Sequence, residues 1–254
     1  MLEARGLTKY YNSITGVRDV NFRIEDGSVL GLLGPNGSGK STTVGMLTGL
    51  LEPSGGSVEL DGVNVRSDML RYKARLGYVP EEAQIYTWMS GAEYLTFCAR
   101  LRGLPDATTR RRIAALLEIF GLTLDRDATM SAYSKGMRQK ILLSAALLHN
   151  PTIVILDEPC SGLDVGATLV IRSLIQRLSA AGRIVIYSSH ELEMVEKVCS
   201  EVLILREGRV AAHAATAVLR EQVNAASLED AFRTLVFTTD TDAVAGNILE
   251  AISH

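Results

Sequence analysis

Gly34-Pro35-Asn36-Gly37-Ser38-Gly39-Lys40-Ser41-Thr42 is the stretch around which the chain is organised. It fits the pattern G-x-x-x-x-G-K-[ST], and each fixed position has a physical task. Gly34, Gly37 and Gly39 can adopt positive φ and carry no Cβ, so consecutive backbone N–H groups can turn inward and form a nest for a polyphosphate. In such a loop Lys40 reaches the β- and γ-phosphates and the Ser41 hydroxyl ligates Mg²⁺. The flanks suit this reading. Val29 to Leu33 is a short apolar run of buried-strand type, and Thr43 to Leu50 reads as the helix whose N-terminus faces the anion.

The 254 residues can bury a sizeable core, and 47% hydrophobic with 22% charged residues is the composition of a folded globular protein. A net charge of −3 offers no strong positive field, so no nucleic-acid partner is expected. Arg110-Arg111-Arg112 reads as the solvated side of a helix whose apolar stripe is Ile113, Leu116, Leu117 and Phe120. Three cysteines, Cys98, Cys160 and Cys199, lack C-x-x-C spacing, which points to a reducing compartment without a disulfide framework or zinc site. No apolar signal core opens the sequence, and no run reaches the ~18 apolar residues of a membrane helix. The chain is not expected to span a bilayer by itself.

Along the chain, residues 1–33 read as short strands and turns, with Val20 to Ile24 alternating apolar and polar. Asp61-Gly62 between Val58-Glu59-Leu60 and Val63-Asn64-Val65 is a hairpin signal. Leu76 to Pro80 reads as a strand ending at Glu81-Glu82. The character then turns helical. Ser90-Gly91-Ala92-Glu93 has capping-box spacing for a helix closed by Gly103, a second helix runs from Thr108 to Phe120, and a third runs from Ser134 to Asn150-Pro151. Buried-strand runs resume at Ile153 to Leu156 and Ile184 to Tyr187, separated by a helix with Ile171, Leu174, Ile175 and Leu178 on one face. Strands alternating with helices around a phosphate loop imply an α/β fold with a mostly parallel sheet. The division expected is an ATP-binding core at 1–83 and 151–213, a helical subdomain at 84–150 and a weakly patterned extension at 214–254.

Asp157 stands at the carboxyl end of an apolar strand, where an acid would hold Mg²⁺, and Glu158 beside it could act as general base on an attacking water. His190, also just after a strand, is placed to contact a γ-phosphate, although a lone histidine is more often structural. Tyr10 and Tyr11 leave two readings open, a ring stacked on a base or a tyrosine on a half-buried strand.

Tyr133-Ser134-Lys135-Gly136-Met137-Arg138-Gln139-Lys140 before a helix, then Asp157-Glu158-Pro159-Cys160-Ser161-Gly162-Leu163-Asp164, then Ser189-His190, follow the phosphate loop in this order. Over about residues 2–210 the sequence resembles the nucleotide-binding subunit of ATP-binding cassette (ABC) transporters. The resemblance implies a P-loop NTPase core with an N-terminal antiparallel β subdomain and an inserted all-helical subdomain. It implies that Tyr11 stacks on adenine, that Gly34 to Thr42 bind phosphate, and that Ser41 and Asp157 serve Mg²⁺ with Glu158 as catalytic glutamate and His190 as switch. Ser134 and Gly136, with Lys135 between them, match the signature that binds the γ-phosphate of an ATP held by the other subunit, and Asp164 matches the loop crossing the seam. A homodimer or paired ATPase subunit, ATP, Mg²⁺, and an integral membrane permease that holds the chain at the cytoplasmic face are therefore implied.

Three positions depart from the family pattern. Leu-Ser-Gly-Gly-Gln is replaced by Tyr133 to Met137, and Lys135 is either phosphate-directed or solvated. Glu81 stands where the family has Gln; its carboxylate can approach Mg²⁺ and water but adds a negative charge. Cys160 replaces Thr. The tyrosine-containing signature, with Tyr78-Val79-Pro80-Glu81-Glu82 and Ser227 to Phe232, resembles the export-type group. Ile85, Tyr86, Trp88 and Met89 form either a groove for a helix of a membrane partner or part of the helical subdomain's core. A cofactor-assembly ATPase is the alternative function. A P-loop kinase would not need the signature or His190.

Overall fold

The structure is a computed structural model that describes residues 1–12, 14–82, 85–222, 225–236 and 250–252. The 83/84 boundary and most of the chain beyond Val236 therefore lie outside the described residues.

The chain opens with two long strands, β1 (Leu2–Tyr11) and β2 (Ile14–Ile24), rather than short ones. They pair antiparallel with register shifts after Ala4, Leu7 and Lys9, and these irregularities blur the period-2 pattern in the sequence. Only the far end of β2 alternates cleanly, with Val20, Phe22 and Ile24 buried. β4 (Gly55–Leu60) pairs with β1, and β5 (Val63–Asn64) pairs with β4 across Asp61-Gly62. Both turn residues have positive φ (54° and 79°), the geometry that suits the right-handed twist of a hairpin. The resulting sheet has the order β2-β1-β4-β5.

The second sheet is built from β3 (Val29–Leu33), β6 (Leu76–Val79), β7 (Ile153–Asp157), β8 (Ile184–Ser188), β9 (Glu201–Arg206) and β10 (Arg209–Ala215). Its order is β10-β9-β3-β8-β7-β6, parallel from β9 to β6 with β10 antiparallel at the edge. Every residue of β3, β7 and β8 is buried, as expected for strands covered on both faces. One core cluster packs the antiparallel sheet and α1 (Lys40–Leu47) against one face, through Leu7, Val20, Leu30, Val44, Leu47 and Ile186. A second covers the other face, with Leu33, Val154, Tyr187, Ile175 and Val195.

Between β6 and β7 the longer elements are helical: α3 (Gly91–Leu101), α4 (Asp106–Ile119) and α5 (Lys135–Leu147). The Ser90 side chain caps α3 and Glu93 returns the bond, completing the capping box. Leu95, Ala99, Ile113, Leu117, Met130, Tyr133 and Ile141 give these helices their own core. A short helix α2 (Met69–Ala74), which the sequence pattern does not reveal, leads into β6. After β7 come α6 (Val165–Ala180) and, after β8, α7 (Leu192–Val198). The last segment is more ordered than its weak pattern suggests. β10 runs to Ala215, followed by α8 (Thr216–Gln222) and α9 (Leu228–Val236), with α9 packed on α7, α8 and β10.

Candidate active site

The carboxyl ends of β3, β7 and β8 open into one cleft of about 850 Å³. It is lined by the loop residues Gly34, Pro35, Asn36, Gly37, Gly39, Lys40, Ser41 and Thr42, and opposite them by Glu81, Asp157, Glu158, Ser189 and His190. Lys40 and Glu158, far apart in the sequence, meet because β3, β8 and β7 are adjacent strands in parallel. Ser38 is the exception in its loop: it is buried at 2% exposure, and its Oγ has no hydrogen-bond partner among the described residues.

The loop's glycines do what the sequence motif requires. Gly34 (φ 152°) passes so close to Ser38 and to the Leu205 carbonyl that a Cβ would collide with both, and Gly39 (φ 104°) is pressed against Val17. Helix α1 starts at Lys40, earlier than the apolar pattern suggests, with Gly39 at its N-cap and no side chain capping it. Thr43 N–H is the first amide to find a helical acceptor, Gly39 O at 2.9 Å, so the amides of the preceding turn, whose residues line the cleft, have no helical acceptor. Lys40 Nζ donates to the Gly34 and Pro35 carbonyls at 2.6 and 3.2 Å. Burial lowers the Lys40 pKa, while Glu158, Asp157 and Glu81 oppose that shift.

Facing this positive nest is an acidic pair. Asp157 is 5% exposed, and its pKa is raised chiefly by burial, with Lys40 among the groups that lower it. Glu158 takes a left-handed backbone (φ 48°), held by its N–H bond to Ser188 O at 2.9 Å. For a residue other than glycine this geometry costs about 1 kcal/mol or more, and it turns the carboxylate into the cleft. His190 Nδ1 lies 2.6 Å from Glu158 Oε1, and Ser189 Oγ donates to Oε2 at 3.4 Å. Burial raises the Glu158 pKa and His190 counters it. The His190 side chain is 78% exposed, so it bonds an acid at the base of the cleft while its ring remains open to solvent.

The residues of the signature stretch do not line this cleft. Ser134 caps α5, its Oγ accepting from Met137 N at 3.2 Å. Lys135 Nζ donates to Ser161 Oγ at 2.7 Å and its stem covers Gly162, so its charge is held by the segment that follows Glu158. Gly136 lies beside the Gly162 carbonyl. Asp164 caps α6 through Ala167 N at 2.9 Å, and that backbone bond lowers its pKa. Tyr11 is 40% exposed, its hydroxyl 3.5 Å from Thr42 Oγ1 and its ring over Gly16 at the cleft margin. Ile85 and Met89 pack into the helical core, as the second reading expects of them, whereas Tyr86 and Trp88 are 51% and 72% exposed and do not join that core. Thr15, Gly16, Leu192 and Phe232 also line the cleft and were not identified from sequence. For Phe232 a signal existed: Leu228, Ala231, Phe232 and Leu235 recur at helical spacing.

The donor set suits a nucleotide with a hard divalent cation. The hydroxyl of Ser41 and the carboxylate of Asp157 are oxygen ligands, and a buried carboxylate with a raised pKa gains most from a cation beside it. Among the described residues no cluster of three His, Cys, Asp or Glu side chains could hold a metal alone, which leaves room for phosphate oxygens to complete the shell.

The family model described as ABC transporter matches residues 17–161. The linearmycin resistance ATP-binding protein LnrL of Bacillus subtilis (strain 168) is 35% identical over 212 residues, covering 84% of this chain and 68% of that protein. The ABC-type transporter ATP-binding protein EcsA of the same organism is 34% identical over 237 residues, covering 91% and 95%. A solved structure of an ATP-binding subunit of an ABC transporter superposes with a TM-score of 0.87 at 32% identity, covering 92% of this chain and 99% of that one. With the phosphate loop, the acidic pair and His190 gathered in one cleft, the chain belongs to the ABC transporter family, as an ATP-hydrolysing ATP-binding subunit.

Proposed function

We propose that this subunit drives export through separate membrane subunits, by closing a dimer around two ATP molecules and opening it after hydrolysis. The observation that carries the catalytic part is the placement of the Glu158 carboxylate, held by His190 and Ser189, across the cleft from Lys40 and the phosphate nest. Glu158 accepts a proton from water as the water oxygen bonds to the γ-phosphorus; the bond from that phosphorus to the β,γ-bridging oxygen breaks, giving ADP and phosphate. Lys40 and the free amides of α1 neutralise charge on the phosphates, and His190 holds the carboxylate in line. Ser41 and Asp157, with Glu81 nearby in the cleft, would hold Mg²⁺, which would supply further charge neutralisation at the phosphates.

Ser134, Lys135 and Gly136 sit at the N-terminus of α5, an anion site outside the cleft of their own subunit. A head-to-tail partner would bring that site onto the γ-phosphate, with Asp164 at the seam and Tyr11 beside the base. For the membrane subunit, Trp88, Met89, Thr96, Phe97 and Arg100 line a groove of about 490 Å³ on the helical side. The Tyr86 ring packs against Trp88 and Phe97 at 5.8 and 5.9 Å, an aromatic edge suited to a short amphipathic helix. Among the described residues no helix is long and apolar enough to cross a membrane. The export direction rests on relatives' names, one a linearmycin resistance ATP-binding protein and another a Nod factor export ATP-binding protein, and docking on a permease would place the chain at the cytoplasmic membrane face.

Glu158→Gln is the test of the base. Turnover should fall by about 10²-fold or more while nucleotide binding is retained. Turnover within about twofold of the parent would remove Glu158 from the mechanism.

A further inference from the structure

Phe232 belongs to the segment after the second sheet, yet it lines the nucleotide cleft together with Ser189, His190 and Leu192. It gets there on α9, whose Leu228 and Ala231 are fully buried in the core cluster that also holds Met194, Val195 and Val198 of α7. The docking is reinforced by polar contacts. Glu196 of α7 pairs with Arg220 at 2.6 Å and accepts from Leu228 N at 3.3 Å, so one carboxylate joins α7, α8 and α9. Ser227 Oγ caps α9, accepting from Asp230 N at 3.1 Å and donating to Asp230 Oδ2 at 2.9 Å, and Arg206 at the end of β9 reaches the Leu235 carbonyl at 3.5 Å. Glu229, one turn from Phe232, lines the adjoining groove on the other side of His190 with Leu163, Leu169 and Arg172. His190 thus borders two grooves, and each of them is lined in part by a residue of α9, Phe232 or Glu229.

That arrangement bears on the chemistry because His190 is largely exposed and has few supports of its own. It leads into α7 through Glu191, and α7 is held by α9. From this we infer that Phe232 is a positioning residue for hydrolysis: α9 fixes α7, and the Phe232 ring beside Leu192 keeps His190 in its bond to Glu158. This rests on the ATPase reading above and adds to it a duty for the C-terminal segment.

The experiment is steady-state ATP hydrolysis by the full chain carrying Phe232→Ala, Phe232→Leu, His190→Ala and the Phe232→Ala/His190→Ala pair, with binding of a fluorescent ATP analogue measured alongside. Phe232→Ala should lower kcat about tenfold, equivalent to about 1.4 kcal/mol on the barrier, with KM within about twofold. Phe232→Leu should restore most of the rate. In the His190→Ala background the Phe232 substitution should have little further effect, a non-additivity that loss of packing alone does not produce. Wild-type kcat in Phe232→Ala, or the same fold-loss with and without His190, overturns the inference while normal nucleotide binding leaves the ATPase reading standing. Failure of the parent chain to bind nucleotide overturns both. Should the alanine variant not fold, Phe232→Trp in a Trp88→Phe background replaces it: its emission must change on adding MgATP, and an unchanged spectrum overturns the inference.

Discussion

The role proposed for Glu158 rests on three local facts: a strand that ends at Asp157, a left-handed backbone that turns its carboxylate inward, and a histidine just past the neighbouring strand that holds it. The strand end was legible in the sequence, as an acidic pair after four apolar residues, and so was the presence of a Ser-His after another apolar run; the left-handed backbone at Glu158 was not. The His190–Glu158 bond was not, since it depends on β7 and β8 being neighbours in register. His149 shows the opposite case, a histidine with no motif and a structural task. Its Nε2 donates to Leu76 O at 3.0 Å, tying the end of α5 to β6, while its Nδ1 is buried without a partner among the described residues. Burial and the nearby Arg102 push its pKa from 6.5 down to about 4. The unfolded chain therefore binds more protons between those values. The stability His149 contributes is complete above the unfolded pKa and is lost as pH falls toward about 4. Allowing for solvent screening, acidification from about pH 7.5 to about pH 5 should cost about 1 to 2 kcal/mol through this residue. Denaturant unfolding at both pH values, in the parent and in His149→Gln, checks this. The pH-dependent loss should shrink in the variant, and an equal loss in both would assign it elsewhere.

At the scale of elements, legibility followed how local the cause of each element was. The α3 capping box was readable because its four residues are consecutive, and both of its reciprocal bonds form, Ser90 N to Glu93 and Glu93 N to Ser90 Oγ at 2.8 and 3.2 Å. Ser90→Ala should therefore destabilise the chain by about 1 kcal/mol, measured as a lower denaturant midpoint with an unchanged slope. A change of less than about 0.3 kcal/mol would mean that packing of Leu95 and Ala99, not the cap, sets the helix start. β1 and β2 were underestimated because their bulges shift the inward face between one residue set and the next, breaking the alternation that marks a strand. α9 was missed for a different reason. Its apolar stripe has helical spacing, but nine residues are too few to hold a helix alone, and their order comes from Glu196 and the α7 surface, both far back in the chain.

Taken whole, the molecule separates two halves of one chemistry. The phosphate nest, the acidic pair and His190 occupy the sheet's carboxyl edge, and the signature turn caps α5 outside that cleft. Lys135 links the two by bonding Ser161, and Gln139, 3% exposed, donates to the Pro159 carbonyl at 3.1 Å, so the N-terminal turns of α5 are fastened to the segment that follows Glu158. A shift of the signature turn against a partner's nucleotide would thereby be felt at Glu158. In the proposed head-to-tail arrangement a single subunit holds both halves but does not bring them onto one phosphate. Two subunits placed head to tail can do so twice. The most direct measurement is the molar mass in solution, by light scattering, of Glu158→Gln with and without MgATP. The account predicts a subunit that is single without nucleotide and doubles in mass with ATP bound. A chain that binds ATP and remains single at every accessible concentration would contradict it.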